Sequence, residues 1–291
     1  MAKVVLVTGS QGQLGSQLKS LISNSTQYKW LFTDMNELDI SKRDQVNDYF
    51  GDHAVDVCLN CAAYTAVDKA EDEPDIARLI NAEAVKYLAD ACFANHALLI
   101  HLSTDYVFDG KKASPYIEND AVNPISNYAR SKALGERVLG LHNVSSIILR
   151  SSWLYSQYGH NFVKTIIRLA SERTQLKIVN DQIGSPTWAG DLAEVMLQFV
   201  EKVHNPIKET YHYSNVGAVS WYEFAKEIVK MMELDCKILP ISTIEFPAKA
   251  KRPSYSVMDT SKIRQHLGIM IPDWKESLEK CLVDLNQNEI N

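Results

Sequence analysis

Two residues of this chain could together deliver a proton to a carbonyl oxygen. Tyr128 and Lys132 are four residues apart in the stretch NYARSK, and on a helix this spacing places both side chains on one face. A free tyrosine has a pKa of about 10, too high for ready proton exchange at pH 7, and a neighbouring ammonium favours the phenolate. The pair is therefore a candidate acid that Lys132 tunes, and a surface pair without chemistry is the alternative.

A hydroxyl-rich stretch upstream could polarise the same carbonyl. STDYVFDG spans residues 103–110 and puts Thr104, or alternatively Ser103, at the predicted end of a strand. A dehydratase would need a further acid after Asp105, where this chain has Tyr106. Elimination of water is therefore disfavoured, as is a cofactor-recycling epimerase, and hydride transfer to the carbonyl is the favoured reaction.

A glycine-rich turn predicts the hydride carrier. TGSQGQLG follows the first predicted strand and opens the first predicted helix, with Gly9, Gly12 and Gly15 at intervals of three residues. Glycine permits a tight turn and lets the backbone approach a pyrophosphate at the positive end of the helix. The turn therefore predicts a dinucleotide site, and a tight turn without a ligand is the alternative.

The residue at the end of the second predicted strand bears on which dinucleotide binds. Asp34 can accept a hydrogen bond from a ribose 2′-hydroxyl and would repel a 2′-phosphate, which favours NADH. Lys42 and Arg43 are close enough in sequence to offset that repulsion. The expected cofactor is therefore NADH or NADPH, and Lys132 is expected to contact its ribose.

Apolar strands alternate with helical stretches through the first half of the chain. Strands are predicted at KVVLVTG, KWLFTD, VDVCLNCA, ALLIHLST and SSIILRSS, and helices near 14–23, 41–51, 75–95 and 126–140. Such strands form a parallel sheet that is covered on both faces. The expected fold class is α/β, with a Rossmann-type doubly wound parallel sheet.

The pattern loosens after Arg150. Helices are predicted in HNFVKTIIRLASER, in AGDLAEVMLQFVEKV, and in SWYEFAKEIVKMMEL, where Ser220 caps the start and Glu223 follows three residues later. YHYSN predicts a strand. The remainder is expected to be loop-rich because of its prolines, Pro240, Pro247, Pro253 and Pro272. We expect a dinucleotide-binding domain of residues 1–151 and 190–216, and a smaller C-terminal substrate-binding lobe of residues 152–189 and 217–291.

Composition excludes several classes of protein. The chain has 291 residues, of which 46% are hydrophobic and 23% charged, with a net charge of −6. No block of Lys and Arg indicates a nucleic acid or a membrane surface as partner, and no apolar run approaches the roughly 20 residues that span a bilayer. The beginning, MAKVVLVTGS, passes into a glycine turn and is unlike a signal peptide. A cytoplasmic location is expected.

The cysteines do not predict a disulfide framework or a metal site. Five of them are scattered along the chain, an odd number without the regular spacing of small secreted domains. Cys58 and Cys61 form a C-x-x-C stretch in a predicted strand, where a spacing of three directs the thiols to opposite faces. Small buried hydrophobic residues are the favoured interpretation, and no metal is expected.

Taken in order, these motifs resemble a known family. The chain is similar to the short-chain dehydrogenase/reductase superfamily, to its extended sugar-nucleotide branch, and within it to the dTDP-4-dehydrorhamnose reductases. The resemblance covers nearly the whole chain through GQLG, NCAAYTAVDKAE, LINAEAV, STDYVFDG, YARSKALGE, RSSWLYS, NFVKT, NDQIGSPT, KRPSYS and PDW. It implies a dTDP-sugar substrate and NADH- or NADPH-dependent reduction of the C4 keto group of dTDP-4-dehydro-6-deoxy-L-mannose to dTDP-L-rhamnose, a precursor of cell-surface polysaccharide.

The resemblance also implies roles for individual residues. Thr104, Tyr128 and Lys132 are expected to be catalytic, and the sugar is expected to lie near Thr104, Asp105, Tyr128 and Trp153. Besides Gly9, Asp34, Tyr128 and Lys132, the expected cofactor contacts are Gln11, Gly12, Gln13, Leu14, Asp39, Ile40, Ala62, Ala63 and Tyr64.

Several polar and aromatic residues allow two interpretations. Trp153 either faces the ligand or packs between the lobes, and Asn81 is expected to be a satisfied buried amide. One group either binds the sugar nucleotide or stabilises a turn: Gln182, Ser185 and Thr187. A second group is either exposed to solvent or binds the diphosphate of the substrate: Lys249, Lys251 and Arg252. Of these, Arg252 is favoured as the phosphate ligand because its guanidinium fork suits phosphate.

One departure from the family concerns metal and assembly. Some members bind a divalent metal at a dimer contact through an acid shortly after the glycine loop, where this chain has Gln17. The metal is therefore not expected here, and a homodimer is left open. Two alternative functions also stay open: a reductase of another 4-keto-6-deoxy sugar nucleotide, and a non-catalytic regulatory subunit similar to that of methionine adenosyltransferase, which the intact Thr104, Tyr128 and Lys132 disfavour.

Overall fold

The structure, a computed structural model, describes residues 2–22 and 27–290, apart from the side chains of 288–290. Met1, residues 23–26 and Asn291 fall within the predicted domain limits, and residue 23 within the first predicted helix. These positions lie outside the described residues.

The strands and helices alternate as the sequence predicts for the first half of the chain. The strands are β1 (Val4–Thr8), β2 (Lys29–Thr33), β3 (Val57–Asn60), β4 (Leu98–Thr104), β5 (Ser146–Ser151), β6 (Leu154–Tyr155), β7 (Gln175–Val179), β8 (Ile183–Gly184), β9 (Thr187–Trp188), β10 (Lys208–Tyr213), β11 (Val219–Ser220) and β12 (Lys237–Ile241). The helices are α1 (Gln13–Leu21), α2 (Arg43–His53), α3 (Pro74–Arg78), α4 (Ala84–Ala94), α5 (Asn127–Leu141), α6 (Phe162–Glu172), α7 (Ala189–Lys202), α8 (Trp221–Met231), α9 (Ser261–Leu267) and α10 (Trp274–Ile290).

A six-stranded parallel sheet forms the centre of the molecule, with strand order β10-β5-β4-β3-β1-β2. Alternate residues of each strand point to opposite faces of the sheet. Val5 and Val7 accordingly join a core beneath α1 and α7, whereas Leu6 joins the core beneath α2 and α4. The predicted α/β class and doubly wound parallel sheet are confirmed.

The chain order reverses between β1 and β3, which lie side by side while β2 lies beyond β1. In open α/β sheets, ligands bind outside the carboxyl ends of the strands at such a switch point. The loops that follow β1, β3 and β4 are thereby brought to the same edge of the sheet, which is where the candidate residues lie.

A second core lies among α6, α8 and α10 and includes Tyr155, Phe224 and Trp274. Helix α8 begins at the predicted cap, since the Ser220 hydroxyl accepts from the Glu223 amide and the Glu223 carboxylate accepts from the Ser220 amide. The segment that follows β9 in the chain returns to the central sheet: α7 packs against α1, and β10 pairs with β5.

Two predicted elements differ from the structure. The helix predicted at 75–95 is divided into α3, a π-helical turn at Leu79–Glu83, and α4. The wider turn accommodates Asn81, whose amide bonds to the backbone of Tyr64 and to the Ser131 hydroxyl. The tail predicted to be loop-rich also contains α9 and α10, because Pro272 precedes a helix rather than interrupting one.

In the part of the chain that the structure describes, no helix combines the length and the apolar character that crossing a bilayer requires.

Candidate active site

A cavity of about 1020 Å³ lies at the carboxyl edge of the sheet. Its wall is formed by the glycine loop after β1, the segments that follow β2 and β3, the ends of β4 and β5, and the side of α5. Trp153 and Trp221 close it from the side of the second core. The cavity therefore joins the predicted dinucleotide loop to the predicted catalytic residues.

The glycine loop has the geometry of a phosphate cradle. Gly9 has φ +65°, and a Cβ there would stand 2.7 Å from the Ala62 backbone. A Cβ on Gly15 would stand 2.4 Å from the Gly9 carbonyl oxygen, so the helix can approach the loop only because this residue is glycine. Gly12 is the N-cap of α1, whose first amides open into the cavity. Backbone amides at a helix N-terminus bind anionic groups, and the loop thus fits a pyrophosphate.

The Asp34 carboxylate is hydrogen-bonded to the backbone of this glycine loop. This carboxylate accepts from the Gln11 amide at 3.0 Å and from the Met35 amide at 2.9 Å, and it lines the cavity. Lys42 also lines the cavity, whereas Arg43 lies near Asp90 at 3.7 Å. Of the two cations considered from the sequence, only Lys42 is placed where it could meet a 2′-phosphate.

The other predicted cofactor residues are brought together with one exception. Those that line the cavity are Gly9, Gln11, Gly12, Gln13, Leu14, Asp34, Asp39, Ile40, Ala62, Ala63, Tyr128 and Lys132. Tyr64 does not line it: its hydroxyl donates to Glu73 at 2.8 Å, and its backbone is held by Asn81. Asn81 is 1% exposed and fully engaged, which agrees with its predicted structural role.

Thr104 and Tyr128 meet above the end of β4. The Thr104 hydroxyl donates to Asp105 at 3.1 Å, accepts from the Tyr106 amide at 3.2 Å, and is hydrogen-bonded to the Tyr128 phenol. Thr104 and Asp105 are buried, and Tyr128 is half-buried. A hydroxyl and a phenol that share one hydrogen bond can both reach the same carbonyl oxygen of a ligand in the cavity.

Helix α5 presents its catalytic face because of its spacing and its anchors. Tyr128, Lys132 and Glu136 follow at intervals of four and share one face of the helix. Glu136 accepts from Ser103 at 2.6 Å and from Arg150 at 2.7 Å, in a buried pair. These contacts to β4 and β5 fix the rotation of α5 about its axis, and with it the direction of Tyr128.

The prediction that Lys132 makes Tyr128 more acidic is wrong for this arrangement. Burial, together with the smaller effect of the Asp105 charge, raises the pKa of Tyr128 to about 12, although the hydrogen bond with Thr104 opposes this. The Lys132 amino group instead donates to the Leu102 carbonyl oxygen at 2.6 Å. Burial lowers the pKa of Lys132 to about 8, although Glu136 and Cys61 oppose this. At neutral pH Tyr128 is therefore a protonated acid.

Asp105 is a second group with an altered protonation equilibrium. Its side chain is 2% exposed, and burial raises its pKa to about 7 against hydrogen bonds from Ser256 and Thr104. Oδ2 of Asp105 is buried and has no hydrogen-bond partner within residues 2–22 and 27–290. A buried polar atom without a partner is costly, and a hydroxyl of a ligand in the cavity could satisfy it.

Trp153 lies in the cavity wall and also packs in the second core. It lines the cavity, is 9% exposed, and has φ +45°. Its indole stacks on Trp221 at 3.5 Å with an interplanar angle of 6°. Gly184 also lies against the indole, where a Cβ would stand 2.5 Å from the ring. Trp153 is therefore both a packing residue and part of the cavity wall.

Arg252, the predicted diphosphate ligand, does not line the cavity. Its guanidinium donates to both Asp68 carboxylate oxygens, at 3.2 and 2.6 Å, and is hydrogen-bonded to Tyr106, which does line the cavity. Lys249 is paired with Asp72. The structure thus places Arg252 one residue behind the wall.

The turn NDQIGSPT is held by contacts within the protein. Gln182 donates to Thr243 at 3.0 Å, and Ser185 donates to the Gly217 carbonyl oxygen at 2.6 Å. The Thr187 hydroxyl is buried and has no partner among the described residues, but it does not line the cavity. For Gln182 and Ser185 the stabilising interpretation is the one that these contacts favour.

Sequence reasoning missed several residues of the wall. Ser151 ends β5 and Ser152 follows it, and the Ser151 hydroxyl is buried with no partner in the described part of the chain. Their position at the carboxyl end of a parallel strand could have indicated that both residues line the cavity. His160 and Trp221 also line the cavity, but they come from loops and helices that carry no local sign of their direction.

Gln17 and the cysteines Cys58 and Cys61 are buried or half-buried. Gln17 is 4% exposed, and so offers no surface ligand. Within residues 2–22 and 27–290 no group of three or more His, Cys, Asp or Glu side chains could hold a metal ion. Cys58 and Cys61 pack in the two different cores, as their spacing predicts.

Comparison with known proteins identifies the family. The model of the RmlD substrate binding domain matches residues 2–287. The chain belongs to this family. A dTDP-4-dehydrorhamnose reductase of Aggregatibacter actinomycetemcomitans is 42% identical over 286 residues, which cover 94% of this chain and 97% of that protein. The predicted membership in the dTDP-4-dehydrorhamnose reductases is confirmed.

Solved structures of RmlD-type reductases share the whole fold. A dTDP-4-dehydrorhamnose reductase of Clostridium acetobutylicum has a TM-score of 0.92 at 41% identity and covers 98% of this chain and 99% of its own. One of Bacillus anthracis, in complex with NADP, has a TM-score of 0.93 at 41% identity and covers 98% of this chain and 100% of its own.

Proposed function

We propose that this protein is an oxidoreductase that reduces the C4 keto group of dTDP-4-dehydro-6-deoxy-L-mannose to dTDP-L-rhamnose with NADH or NADPH. The observation that carries the proposal is the single cavity in which the glycine loop, Thr104, Tyr128 and Lys132 meet. The names of its close relatives and the NADP of one of them support the same reaction.

The glycine loop, Asp34 and Lys132 would hold the dinucleotide, which when bound supplies a hydride to sugar C4. Thr104 donates a hydrogen bond to the carbonyl oxygen and so favours the charge that develops there. Tyr128 gives its proton to the resulting alkoxide, because its raised pKa keeps it protonated at neutral pH. Lys132, which lines the same cavity, then resupplies through solvent in that cavity the proton that Tyr128 has lost.

We propose that different segments of the chain bind the dinucleotide and the sugar nucleotide. Residues 1–151 and 190–216 bind the dinucleotide, and residues 152–189 and 217–291 bind the sugar nucleotide against Asp105 and Trp153. Arg252 contributes positive charge to the diphosphate from behind Tyr106.

A cytoplasmic location fits a substrate made from cytoplasmic nucleotides, and a homodimer remains a prediction that sedimentation velocity tests.

The test is a coupled assay in which an upstream enzyme system supplies dTDP-4-dehydro-6-deoxy-L-mannose and the absorbance of the reduced cofactor is followed. Turnover that is lost in Tyr128→Phe supports the reductase. Turnover only with other 4-keto-6-deoxy sugar nucleotides would change the substrate. Dinucleotide binding without turnover of any of them would favour the regulatory, non-catalytic alternative.

A further inference from the structure

A buried histidine that has no part in the proposed reaction lies beside Lys132. His101 lies in β4, its side chain is 0% exposed, and its Nε2 is 3.3 Å from Lys132 Nζ. The same Nζ lies 2.6 Å from the carbonyl oxygen of Leu102. The amino group is therefore held between two groups of one strand.

His101 is the end of a polar row that crosses three neighbouring strands. Thr8 in β1 is the register partner of Asn60 in β3, and Asn60 is the register partner of His101 in β4. The Thr8 hydroxyl donates to Asn60 Oδ1 at 2.8 Å, and Asn60 Nδ2 is 2.9 Å from His101 Nδ1. Thr8 and Asn60 are each 1% exposed. The row is dry, and it leads to Lys132.

The hydrogen bonds of this row have a preferred direction. Asn60 is the sole side-chain hydrogen-bond partner of the Thr8 hydroxyl within residues 2–22 and 27–290. If the amide were turned over, the buried hydroxyl hydrogen would lose its acceptor, which is costly. Asn60 Nδ2 therefore donates to His101 Nδ1. Because burial, and then the charge of Lys132, lower the pKa of His101 well below 6.5, the ring is neutral and its one hydrogen is on Nε2.

We infer that His101 is a positioning residue for Lys132: its Nε2–H, directed at Nζ, disfavours the ammonium form of Lys132 and gives the uncharged amine a hydrogen-bond donor. Two other groups act on this lysine, Cys61 from the loop after β3 and Glu136 from its own helix, and Tyr128 lies on the same face of that helix. Burial raises the pKa of the Cys61 thiol to about 12, so it is uncharged. The Glu136 carboxylate is shared with Arg150 and Ser103.

The consequence for catalysis rests on the proposed function. Tyr128 transfers its proton to the substrate alkoxide and becomes a phenolate, and the Lys132 ammonium, which lines the same cavity, restores that proton through solvent in the cavity and becomes an amine. His101 then donates to the amine, and solvent returns a proton to Lys132 before the next turnover. Without His101 the amine would be left with Leu102, whose carbonyl oxygen can only accept.

The arrangement of hydrogens can be measured directly on the unliganded full chain. Nitrogen-15 NMR of the histidine rings distinguishes the two neutral tautomers, and His101→Phe identifies the His101 signals by their loss. We expect the Nε2–H tautomer at pH 7. The Nδ1–H tautomer, or a charged ring, would overturn the inference. This measurement involves neither substrate nor turnover, so its result is separate from that of the coupled assay.

A second variant reverses the row. In Asn60→Asp both oxygens accept, so the carboxylate should draw the hydrogen to His101 Nδ1 and leave Nε2 as an acceptor for the Lys132 ammonium. We expect the Nδ1–H tautomer, and a Lys132 Cε titration that moves to higher pH by about one unit or more. Lys132→Met assigns the resonance.

The new carboxylate could also act on Lys132 directly through its charge. Placing Asn60→Asp in the His101→Phe background controls for this direct effect. We expect a clearly smaller shift there than in Asn60→Asp alone. An equal shift in both backgrounds would show that His101 does not transmit the effect, and would overturn the inference, as would an unchanged tautomer in Asn60→Asp. If Asn60→Asp does not fold, the tautomer of the wild-type protein decides.

Discussion

Replacing Tyr128 with phenylalanine removes one oxygen from the cavity wall. The phenol is hydrogen-bonded to Thr104, whose hydroxyl keeps Asp105 as a partner when that oxygen is lost. The ring itself remains beside Tyr106, at a centroid distance of 6.1 Å. We therefore expect the variant to fold and to bind the dinucleotide as the wild type does.

The expected loss of rate follows from the protonation state. Burial raises the pKa of Tyr128 to about 12, so essentially all of the enzyme carries the proton at pH 7. A positioned general acid contributes roughly 10²- to 10⁴-fold, which is about 3 to 5 kcal/mol of barrier. kcat should fall by that order in Tyr128→Phe, with a much smaller change in the dinucleotide Kd.

The pH profile distinguishes the ionisation of Lys132 from that of Tyr128. Lys132, whose pKa burial lowers to about 8, is a cation below that pH and loses its charge as the pH rises through it. Dinucleotide affinity should weaken across the same range, in the wild type and in Tyr128→Phe alike, and the step should be missing in Lys132→Met. An ionisation of Tyr128 should not appear until far more alkaline pH.

The assay is single-turnover reduction, followed by the absorbance of the reduced cofactor under conditions where chemistry limits the rate. If Tyr128→Phe retained more than about a tenth of the wild-type rate, the proton would come from another group and the assignment would be wrong. A matched control is Tyr106→Phe, which removes a hydroxyl from the neighbouring ring and should have the smaller effect on kcat.

Four further substitutions test the rest of the cavity. Gly12→Val should abolish dinucleotide affinity, because its side chain would enter the pyrophosphate cradle; calorimetric titration of a variant with a wild-type circular dichroism spectrum checks this. Asp34→Ala should raise the kcat/KM ratio of NADPH to NADH by removing a repulsive carboxylate, and an unchanged ratio would place the ribose elsewhere. Trp153→Ala should raise KM for the sugar nucleotide while the dinucleotide Kd stays constant, and should lower Tm because the indole is buried. Arg252→Ala should raise KM for the sugar nucleotide, more at low than at high ionic strength; an unaltered KM would remove this residue from the diphosphate site.

Sequence alone determined the architecture and the chemical class. Near-continuous apolar strands require a sheet that is covered on both faces, and the glycine turn is explained by contacts within the turn itself, since a Cβ would stand 3.2 Å from the Gly9 carbonyl oxygen at Gly12 and 2.4 Å from it at Gly15. The four-residue spacing of Tyr128 and Lys132 fixes their common helix face for the same local reason. Local geometry of this kind is encoded within a few residues, so it can be read directly.

Tertiary structure decided what the catalytic groups touch. The sequence pairs Lys132 with Tyr128, but the folded chain directs its amino group to Leu102 and His101, which lie in strand β4. Likewise Arg252, which the sequence offers to a phosphate, is held by Asp68, 184 positions away. Burial and long-range partners set protonation and direction, and both arise only when distant segments pack, which no local pattern specifies.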